Sequence, residues 1–342
     1  EGPVQHPSGF LDGMAALQWG QAKDLEGGEV RVLTTDMSTL EGFSMLADWG
    51  VRTCPVIERS GGAEEAKVVG TLDLRDACKF FVEMQEEHKT SQEGRASVKD
   101  RFNISAEVEI SHVLDSISSH PSCGQGKNIS YLARMHPLRV VEPTASLQEV
   151  ARYLSHGSHI VGVSGGGGEL GRLSKIITQR MLFEHISSQL LQVSLRVDEV
   201  MNPRVLSVSC SSCAYDAFKL IASKNVSGVP VVGEEGDIRY NTSSSDVREL
   251  INWGKKTGMG GNLSERLSDN LEDFLVAIRA RSSDLKTRVT VSTCHPEDGL
   301  SHVIQRFLKT GYHRIWVIAN SEEKKPIGVV SLTDIFKKLV TA

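Results

Sequence analysis

The chain has 342 residues, 24% of them charged, and a formal net charge of −5 at pH 7. That length allows two or more packed domains, and the acidic balance excludes a general attraction to nucleic acids or anionic membranes. The apolar runs fall far short of the roughly 20 residues that a membrane span needs. We therefore expect neither a membrane nor a nucleic-acid partner, and any anion-binding site must be local.

Six cysteines in a chain of this length are too few for a disulfide framework and favour a reducing compartment, the cytoplasm or the nucleus. The chain begins Glu1-Gly2-Pro3, without a charged-then-apolar leader. We interpret it as a fragment of a longer product.

One pattern recurs four times along the chain: an Arg-Val strand, a Ser/Thr-rich turn, an amphipathic helix, two further strands and a second helix. The first strands begin at Arg31, Arg139, Arg204 and Arg288, and the middle strands lie within 50–58, 157–163, 225–232 and 311–318. Gly or Asn before each middle strand is typical of a left-handed helix cap. Each β-α-β-β-α unit of about 50 residues is too small to bury its sheet alone, which predicts that the units pair into two modules.

Four motifs carry a resemblance to a known family: WGVRTCP (49–55), VSGVPVV (226–232), YHRIWVI (312–318) and GVVSLTDI (328–335). They resemble cystathionine-β-synthase (CBS) domains, and most closely those of the gamma subunits of AMP-activated protein kinase. The resemblance covers roughly residues 11–342. It implies an α/β fold in which four CBS repeats pair into two Bateman modules that form a disc-like assembly.

The expected boundaries follow the repeats. The first module covers 11–188, with repeats at about 25–88 and 129–188, and the second covers 195–342, with repeats at about 197–254 and 284–342. The resemblance implies a regulatory, energy-sensing subunit and not an enzyme. It implies AMP, ADP or ATP as ligand, no cofactor or metal, and the catalytic and scaffold subunits of a protein kinase as partners.

The expected ribose ligands are carboxylates, because a carboxylate accepts hydrogen bonds from both ribose hydroxyls. The resemblance assigns this role to the helix-start residues Asp76, Asp246 and Asp334. A Ser-x-x-Asp sequence before an apolar helix is also a capping box, which only satisfies free N–H groups. Recurrence beside cationic strands favours the ligand interpretation for Asp334.

The expected phosphate ligands are of two kinds. Hydroxyls and backbone N–H groups at helix starts favour anions, which points to Ser331, Thr333 and Ser244. Cationic side chains at equivalent places of the middle strands would converge on a central channel if the modules close face to face; these are Arg52, His159, His313 and Arg314. The alternative is a solvated or capping role, which for His159 is equally well supported.

Several positions depart from the gamma-subunit pattern. In repeat two, His159 is followed by Ile160 instead of Arg, Gln179 stands where a basic residue is usual, and Arg180 replaces the ribose Asp, so we predict no ribose site there. In repeat one, Asp73 adds a carboxylate that would repel phosphate. The repeat-four site therefore ranks first, the repeat-three site second and the repeat-one site third.

Other features favour ordinary structural roles. The glycine-rich 164–171 lacks the Lys of a phosphate loop and predicts a hairpin loop. Cys210 and Cys213 have no second Cys pair at metal spacing and favour a turn. No catalytic arrangement is recognisable. The insertion 90–127, with a short helix near 110–117, is either a surface insertion, which we favour, or a partner contact.

Two alternatives to nucleotide sensing stay open. The losses in repeat two are compatible with a non-sensing CBS scaffold whose nucleotide sites have decayed. The repeats are also compatible with the regulatory region of a transporter or a metabolic enzyme, which four consecutive gamma-like repeats disfavour.

Overall fold

A computed structural model describes residues 17–27, 30–59, 66–92, 129–165, 173–256, 263–281 and 291–341. The expected helix near 110–117, most of the 90–127 insertion and most of the glycine-rich 164–171 lie outside the described residues. Each of the four predicted units contributes one three-stranded sheet. The predicted α/β class and the fourfold repetition are confirmed.

The first half of the chain holds repeats one and two. Repeat one contains β1 (Leu33–Thr34), α1 (Thr39–Asp48), β2 (Thr53–Arg59), β3 (Ala66–Asp73) and α2 (Leu74–Gln92). A connecting helix, α3 (Ile129–Met135), comes next. Repeat two contains β4 (Val140–Val141), α4 (Leu147–Ser155), β5 (Ile160–Ser164), β6 (Leu173–Thr178) and α5 (Gln179–Leu190).

The second half repeats this order. Repeat three contains β7 (Val208–Ser209), α6 (Ala214–Ser223), β8 (Gly228–Val232), β9 (Ile238–Ser243), a 3₁₀ turn (Ser244–Asp246) and α7 (Val247–Lys256). Two connecting helices follow, α8 (Leu263–Ser268) and α9 (Leu271–Arg281). Repeat four contains β10 (Thr293–Cys294), α10 (Leu300–Thr310), β11 (Arg314–Ile318), β12 (Pro326–Ser331) and α11 (Leu332–Thr341).

Strand direction is the same in all four sheets. The first strand is parallel to the middle strand, and the middle strand is antiparallel to the last. The parallel pair is joined through a helix and the antiparallel pair through a hairpin, as those connections require. The first strands pair over only two residues, so they are shorter than the Arg-Val runs predicted.

The turn before each middle strand uses left-handed backbone. Gly50, Gly157, Asn225 and Gly311 have φ values of 66°, 95°, 51° and 69°. Glycine adopts this conformation without a Cβ penalty, and Asn tolerates it better than most residues. The predicted helix caps are confirmed. Each cap lies two residues before the polar residue that directly precedes the middle strand: Arg52, His159, Ser227 and His313.

Connecting segments are exchanged between neighbouring repeats. In the turn before repeat one, the Ala22 N–H donates to the Ala145 carbonyl of repeat two at 2.8 Å. After α3, the His136 carbonyl accepts the Thr71 N–H of repeat one at 2.9 Å. The second half does the same. Val197 donates to Asp298 of repeat four, and Ala214 of repeat three donates to Asp269. Within each half of the chain, the segment before the first repeat therefore bonds to the second repeat, and the segment before the second repeat bonds to the first.

The apolar cores join the two halves of the chain. One cluster of buried residues combines repeats one and three, and a second combines repeats two and four. In the second cluster, Phe183 of α5 meets Phe307 of α10 edge-on, with ring centroids 5.7 Å apart. Contact between helices of opposite halves, α2 with α6 and α4 with α11, packs repeat one against repeat three and repeat two against repeat four. None of the helices in these segments is long and apolar enough to cross a membrane.

Candidate functional site

The four repeats place equivalent residues at the mouth of each middle strand. The first N–H after each last strand donates to the carbonyl of this residue: Leu74 to Arg52, Gln179 to His159, Ser244 to Ser227 and Leu332 to His313. The next residue pairs with the end of the last strand: Thr53 with Asp73, Ile160 with Thr178, Gly228 with Ser243 and Arg314 with Ser331. The predicted alignment of the cationic strands follows this register.

These strand mouths face one cavity of about 840 Å³ to which all four repeats contribute. Its volume falls in the range of small-molecule sites. Seven basic residues line it: Arg31, Arg52, Arg248, Arg279, Arg314, His159 and His313. The carboxylates on its wall are Asp246 and Glu249, and apolar surface comes from residues such as Ile160, Ile176 and Tyr312. Arg52, His159, His313 and Arg314 thus lie around one space, as predicted for a central channel.

Several buried nitrogens on this wall have no hydrogen-bond partner among the described residues. They are Arg52 Nε and Nη2, His159 Nε2, Arg248 Nε and Arg279 Nη1. A buried donor without a partner is costly, and more so when it is charged. An anion with several acceptor oxygens would satisfy donors of this kind.

Mutual repulsion among these cations is visible in their pKa values. Burial, followed by Arg52, Arg314, Arg180 and Arg248, lowers the pKa of His313 to about 4. Burial and Arg52 lower the pKa of Arg314 to about 10, against an opposing contribution from Asp246. The His313 side chain is exposed to the cavity. Its lowered pKa therefore reflects repulsion by the nearby arginines as well as desolvation. Seven basic residues against the two carboxylates Asp246 and Glu249 make the cavity favourable for a bound anion.

Asp246 is the predicted ribose carboxylate that lines this cavity. Its Oδ2 accepts the Ser243 N–H at 2.7 Å and the Thr242 hydroxyl at 2.9 Å, so it caps the 3₁₀ turn as a capping box would. Burial raises its pKa, while Arg279 and Arg314 act in the opposite direction. Capping occupies one carboxylate oxygen, and the residue stands beside the cations of repeat four.

Asp334 lines a different cavity, of about 490 Å³. Its neighbours there are Lys337 and Lys338 of α11 and the connection around Asn202. Its Oδ2 accepts from both the N–H and the hydroxyl of Ser331, at 2.8 and 2.5 Å. The structure therefore does not bring Asp334 into the cavity that contains His313 and Arg314, and Ser331 serves as its capping partner.

Asp76, Thr333 and Ser244 are likewise absent from the wall of the central cavity. Asp76 Oδ1 is 2.9 Å from His136 Nε2, and this bond raises the pKa of His136. The Thr333 hydroxyl accepts from the Gln179 side chain at 2.8 Å. The Ser244 side chain is fully buried, whereas its neighbour Ser245 reaches the cavity.

Repeat two requires a correction. The register aligns Thr178 with Ser243 and Ser331, so Met181, and not Arg180, occupies the place of Asp246 and Asp334. Arg180 instead donates to the Phe307 carbonyl at 2.8 Å and pairs with Glu184. The sequence alignment was wrong by one residue, although the predicted lack of a ribose carboxylate follows equally from Met181.

Sequence reasoning missed three cations of the cavity, Arg31, Arg248 and Arg279, and one glycine. Arg248 stands two residues after Asp246, a spacing that could have suggested it, but Arg279 lies on the connecting helix α9 outside the repeat pattern. Gly228 occupies the place equivalent to Arg314. A Cβ there would overlap the Arg314 guanidinium, so this glycine makes room for the cation of the neighbouring repeat.

The cysteine pair has a structural explanation. Cys213 precedes α6, and its N–H and Sγ both contact Asp216 Oδ2, at 3.2 and 3.0 Å. Within the described residues, no group of three His, Cys, Asp or Glu side chains is placed to hold a metal ion.

Comparisons with known proteins agree with this architecture. The CBS domain family model matches residues 197–252 and 283–341. A SNF1-related protein kinase regulatory subunit gamma-1-like protein of Arabidopsis thaliana is 27% identical over 46% of the chain and 34% of its own length. The protein sds23 of Neosartorya fischeri is 21% identical over 84% of the chain and 51% of its own length. The chain thus spans about a third to a half of the length of these relatives.

Among solved structures, the chain resembles a Methanocaldococcus jannaschii protein described as a candidate archaeal homologue of g-AMPK. The match has a TM-score of 0.67 and 15% identity and covers 92% of this chain and 98% of the other. At that identity it supports the fold alone. Together with the fourfold repeat, the comparisons lead to one conclusion: residues 197–252 and 283–341 match the CBS domain family, and the chain is similar to a gamma-type regulatory subunit of SNF1-related protein kinase.

Proposed function

We propose that this chain is a regulatory module that binds an adenine nucleotide, with the nucleotide's phosphate in the central cavity. The observation that carries the proposal is the convergence of seven basic residues, from all four repeats and the connecting helix α9, on one cavity. Several of them have buried nitrogens that lack a hydrogen-bond partner among the described residues. A phosphate offers the charge and the acceptor oxygens that such a set requires.

The proposed ribose ligand is Asp246. It shares the cavity with His313 and Arg314, and capping occupies its Oδ2. Arg248, His313 and Arg314 would hold the phosphate, while Tyr312 and Ile160 offer apolar surface for a base. The geometry thus favours the repeat-three carboxylate over Asp334, which the sequence ranked first. Asp334 is the proposed ligand of a second, separate site beside Lys337 and Lys338.

The regulatory role and its partners are also proposals. By its likeness to gamma subunits, the chain would act on the catalytic and scaffold subunits of a protein kinase, in the cytoplasm or the nucleus, and would not itself catalyse a reaction. A ligand shifts such a partner only if it binds two arrangements of the module with different affinity. The cations come from both halves of the chain, so a shared anion has different contacts when the halves move apart.

Isothermal titration calorimetry with AMP, ADP, ATP and GMP tests the proposal. We expect the Asp246→Asn substitution, which retains a capping side chain, to weaken AMP binding about 10- to 100-fold, because hydrogen bonds to a charged group contribute roughly 1.5–3 kcal/mol. Asp298→Asn is the matched control, since Asp298 also caps a turn, through the His295 N–H at 2.9 Å, outside both cavities. If Asp334→Asn abolishes binding while Asp246→Asn does not, the assignment to the central cavity is wrong.

A non-sensing scaffold is the second candidate. The missing carboxylate at Met181 favours it, as does the likeness to sds23, which extends over more of the chain than the likeness to gamma subunits. A nucleotide at about 100 times its dissociation constant stabilises a fold by roughly 2.7 kcal/mol. The absence of a thermal shift with AMP, ADP and ATP would support the scaffold and refute the sensor.

A further inference from the structure

Asp73 differs in kind from its three counterparts. The register places Asp73 at the same position as Thr178, Ser243 and Ser331, at the end of the last strand and the start of the following helix. The other three repeats carry a hydroxyl there, and repeat one alone carries a carboxylate. Asp73 is 2% exposed, so its charge must be balanced from within the protein.

The balancing charges come from Arg52, which belongs to the proposed phosphate-binding set, and from Arg75, while His159 lies beside the carboxylate as a neutral imidazole. Asp73 Oδ2 lies 3.7 Å from Arg52 Nε and 3.8 Å from His159 Nε2, and it accepts a hydrogen bond from the Thr53 hydroxyl. Its Oδ1 is 3.1 Å from Arg75 Nε. Although burial raises the pKa of Asp73, Arg52, His159 and Arg75 together hold it well below the usual range. A permanent anion therefore stands beside Arg52 and His159.

Arg52 interacts electrostatically with His313 and Arg314 of repeat four. Arg52 lowers the pKa values of both His313 and Arg314. A phosphate chain that begins at His313 and Arg314 and extends across the cavity would meet Arg52 and His159 next. At that end the charge is already compensated by Asp73, so a second or third phosphate gains less attraction than the first and approaches a carboxylate.

We propose that Asp73 is a built-in anion that substitutes for a phosphate at the Arg52–His159 end of the cavity and makes the cavity select a nucleoside monophosphate over the triphosphate. This inference rests on the proposed function, since it concerns the same cavity. It assigns Asp73 the role of a specificity-determining residue.

The test compares Asp73→Asn and Asp73→Ser with the wild type. Both substitutions retain a side chain that can cap a helix start, and Ser restores the hydroxyl of the other repeats. Asp237→Asn is the matched control, because Asp237 also pairs with an arginine, Arg239 at 2.5 Å, but lies outside both cavities. The dissociation constants of AMP and ATP are measured by calorimetry, and the thermal shift caused by inorganic phosphate is measured in parallel.

We expect the ratio of the ATP to the AMP dissociation constant to fall at least 10-fold in both Asp73 variants and to stay unchanged in Asp237→Asn. Inorganic phosphate should stabilise the Asp73 variants more than the wild type, because Arg52 then lacks its internal anion. If the wild type binds AMP but neither the ratio nor the phosphate shift changes in the variants, this inference is wrong and the proposed function stands. If no protein binds a nucleotide, the proposed function is wrong, and the phosphate shift alone decides whether Asp73 substitutes for an anion.

Discussion

The protonation of His313 offers a direct test of the cavity as an anion site. The protein by itself holds the pKa of His313 near 4, through burial and the surrounding Arg52, Arg314, Arg180 and Arg248. An anion placed among these cations offsets the repulsion and favours the charged imidazolium. Ligand binding should therefore raise the pKa of His313, and the complex should take up a proton.

The size of the effect follows from the two pKa values. At pH 6, a histidine with a pKa of about 4 is about 1% protonated, whereas one at the ordinary value of about 6.5 is about 75% protonated. If the bound phosphate returns His313 to its ordinary range, binding takes up about 0.7 proton at this site. At pH 8 both forms are neutral, so the uptake disappears.

Calorimetry in buffers of different ionisation enthalpy measures this proton number. The phosphate itself has a second pKa near 6 and contributes protons of its own. The His313→Gln variant corrects for that contribution, since Gln retains a polar side chain that does not titrate. The wild type should take up about 0.7 proton more than His313→Gln at pH 6, and the two should agree at pH 8. Equal proton numbers at pH 6 would refute the reasoning that places the phosphate beside His313.

Two further predictions concern the same wall of the cavity. Burial, followed by Arg52, lowers the pKa of His159 to about 3, so the unfolded chain binds a proton near pH 6.5 that the folded protein does not bind. The free energy of unfolding should be constant above about pH 7.5 and fall by about 2 kcal/mol between pH 7.5 and 5. Urea unfolding of His159→Gln should lack that loss, and an identical pH dependence in both proteins would contradict it. Gly228→Ala should displace both the Arg314 guanidinium and the Thr242 carbonyl, which a Cβ would meet at 2.5 Å or less, and should weaken AMP binding. Gly299→Ala, where a Cβ meets only ordinary contacts, should not weaken it. Unchanged calorimetric affinity in Gly228→Ala would separate this wall of the cavity from the ligand.

Local signals in the sequence predicted the fold well because each repeat encodes its own turns. The left-handed positions Gly50, Gly157 and Gly311 mark where each middle strand begins, and Ser38 and Ser146 cap the first helices through N–H groups three residues on. These are interactions between residues close in the chain, so a single sequence displays them.

The composition of the site was harder to predict, because it depends on which repeats face one another. The pairing of repeat one with three, and of two with four, is set by the complementary shapes of buried helix faces, and no local motif reports it. The contact of repeats three and four, seen where Gly228 adjoins the Arg314 guanidinium, is reported by no local motif either. The sequence therefore paired Asp334 with His313 and Arg314 of the same repeat, whereas the cavity pairs these cations with Asp246 of repeat three. Arg279 escaped notice because α9 belongs to a connection and to no repeat.

Because the four repeats carry different residues at equivalent positions, the two ends of the central cavity differ in charge. The strand mouths carry Arg52, His159, Ser227 and His313, and the neighbouring positions carry Thr53, Ile160, Gly228 and Arg314. Equivalent residues at all these positions would produce four equal sites, but here an internal carboxylate compensates one end and the other end retains uncompensated cations. Burial, followed by repulsion from Arg52, lowers the pKa values of His313 and Arg314, so the charged forms of these side chains carry a free-energy cost when no anion is bound. Under the proposed function, a phosphate bound between the two halves would offset that cost, and a different affinity for two arrangements of the halves is what a regulatory ligand requires.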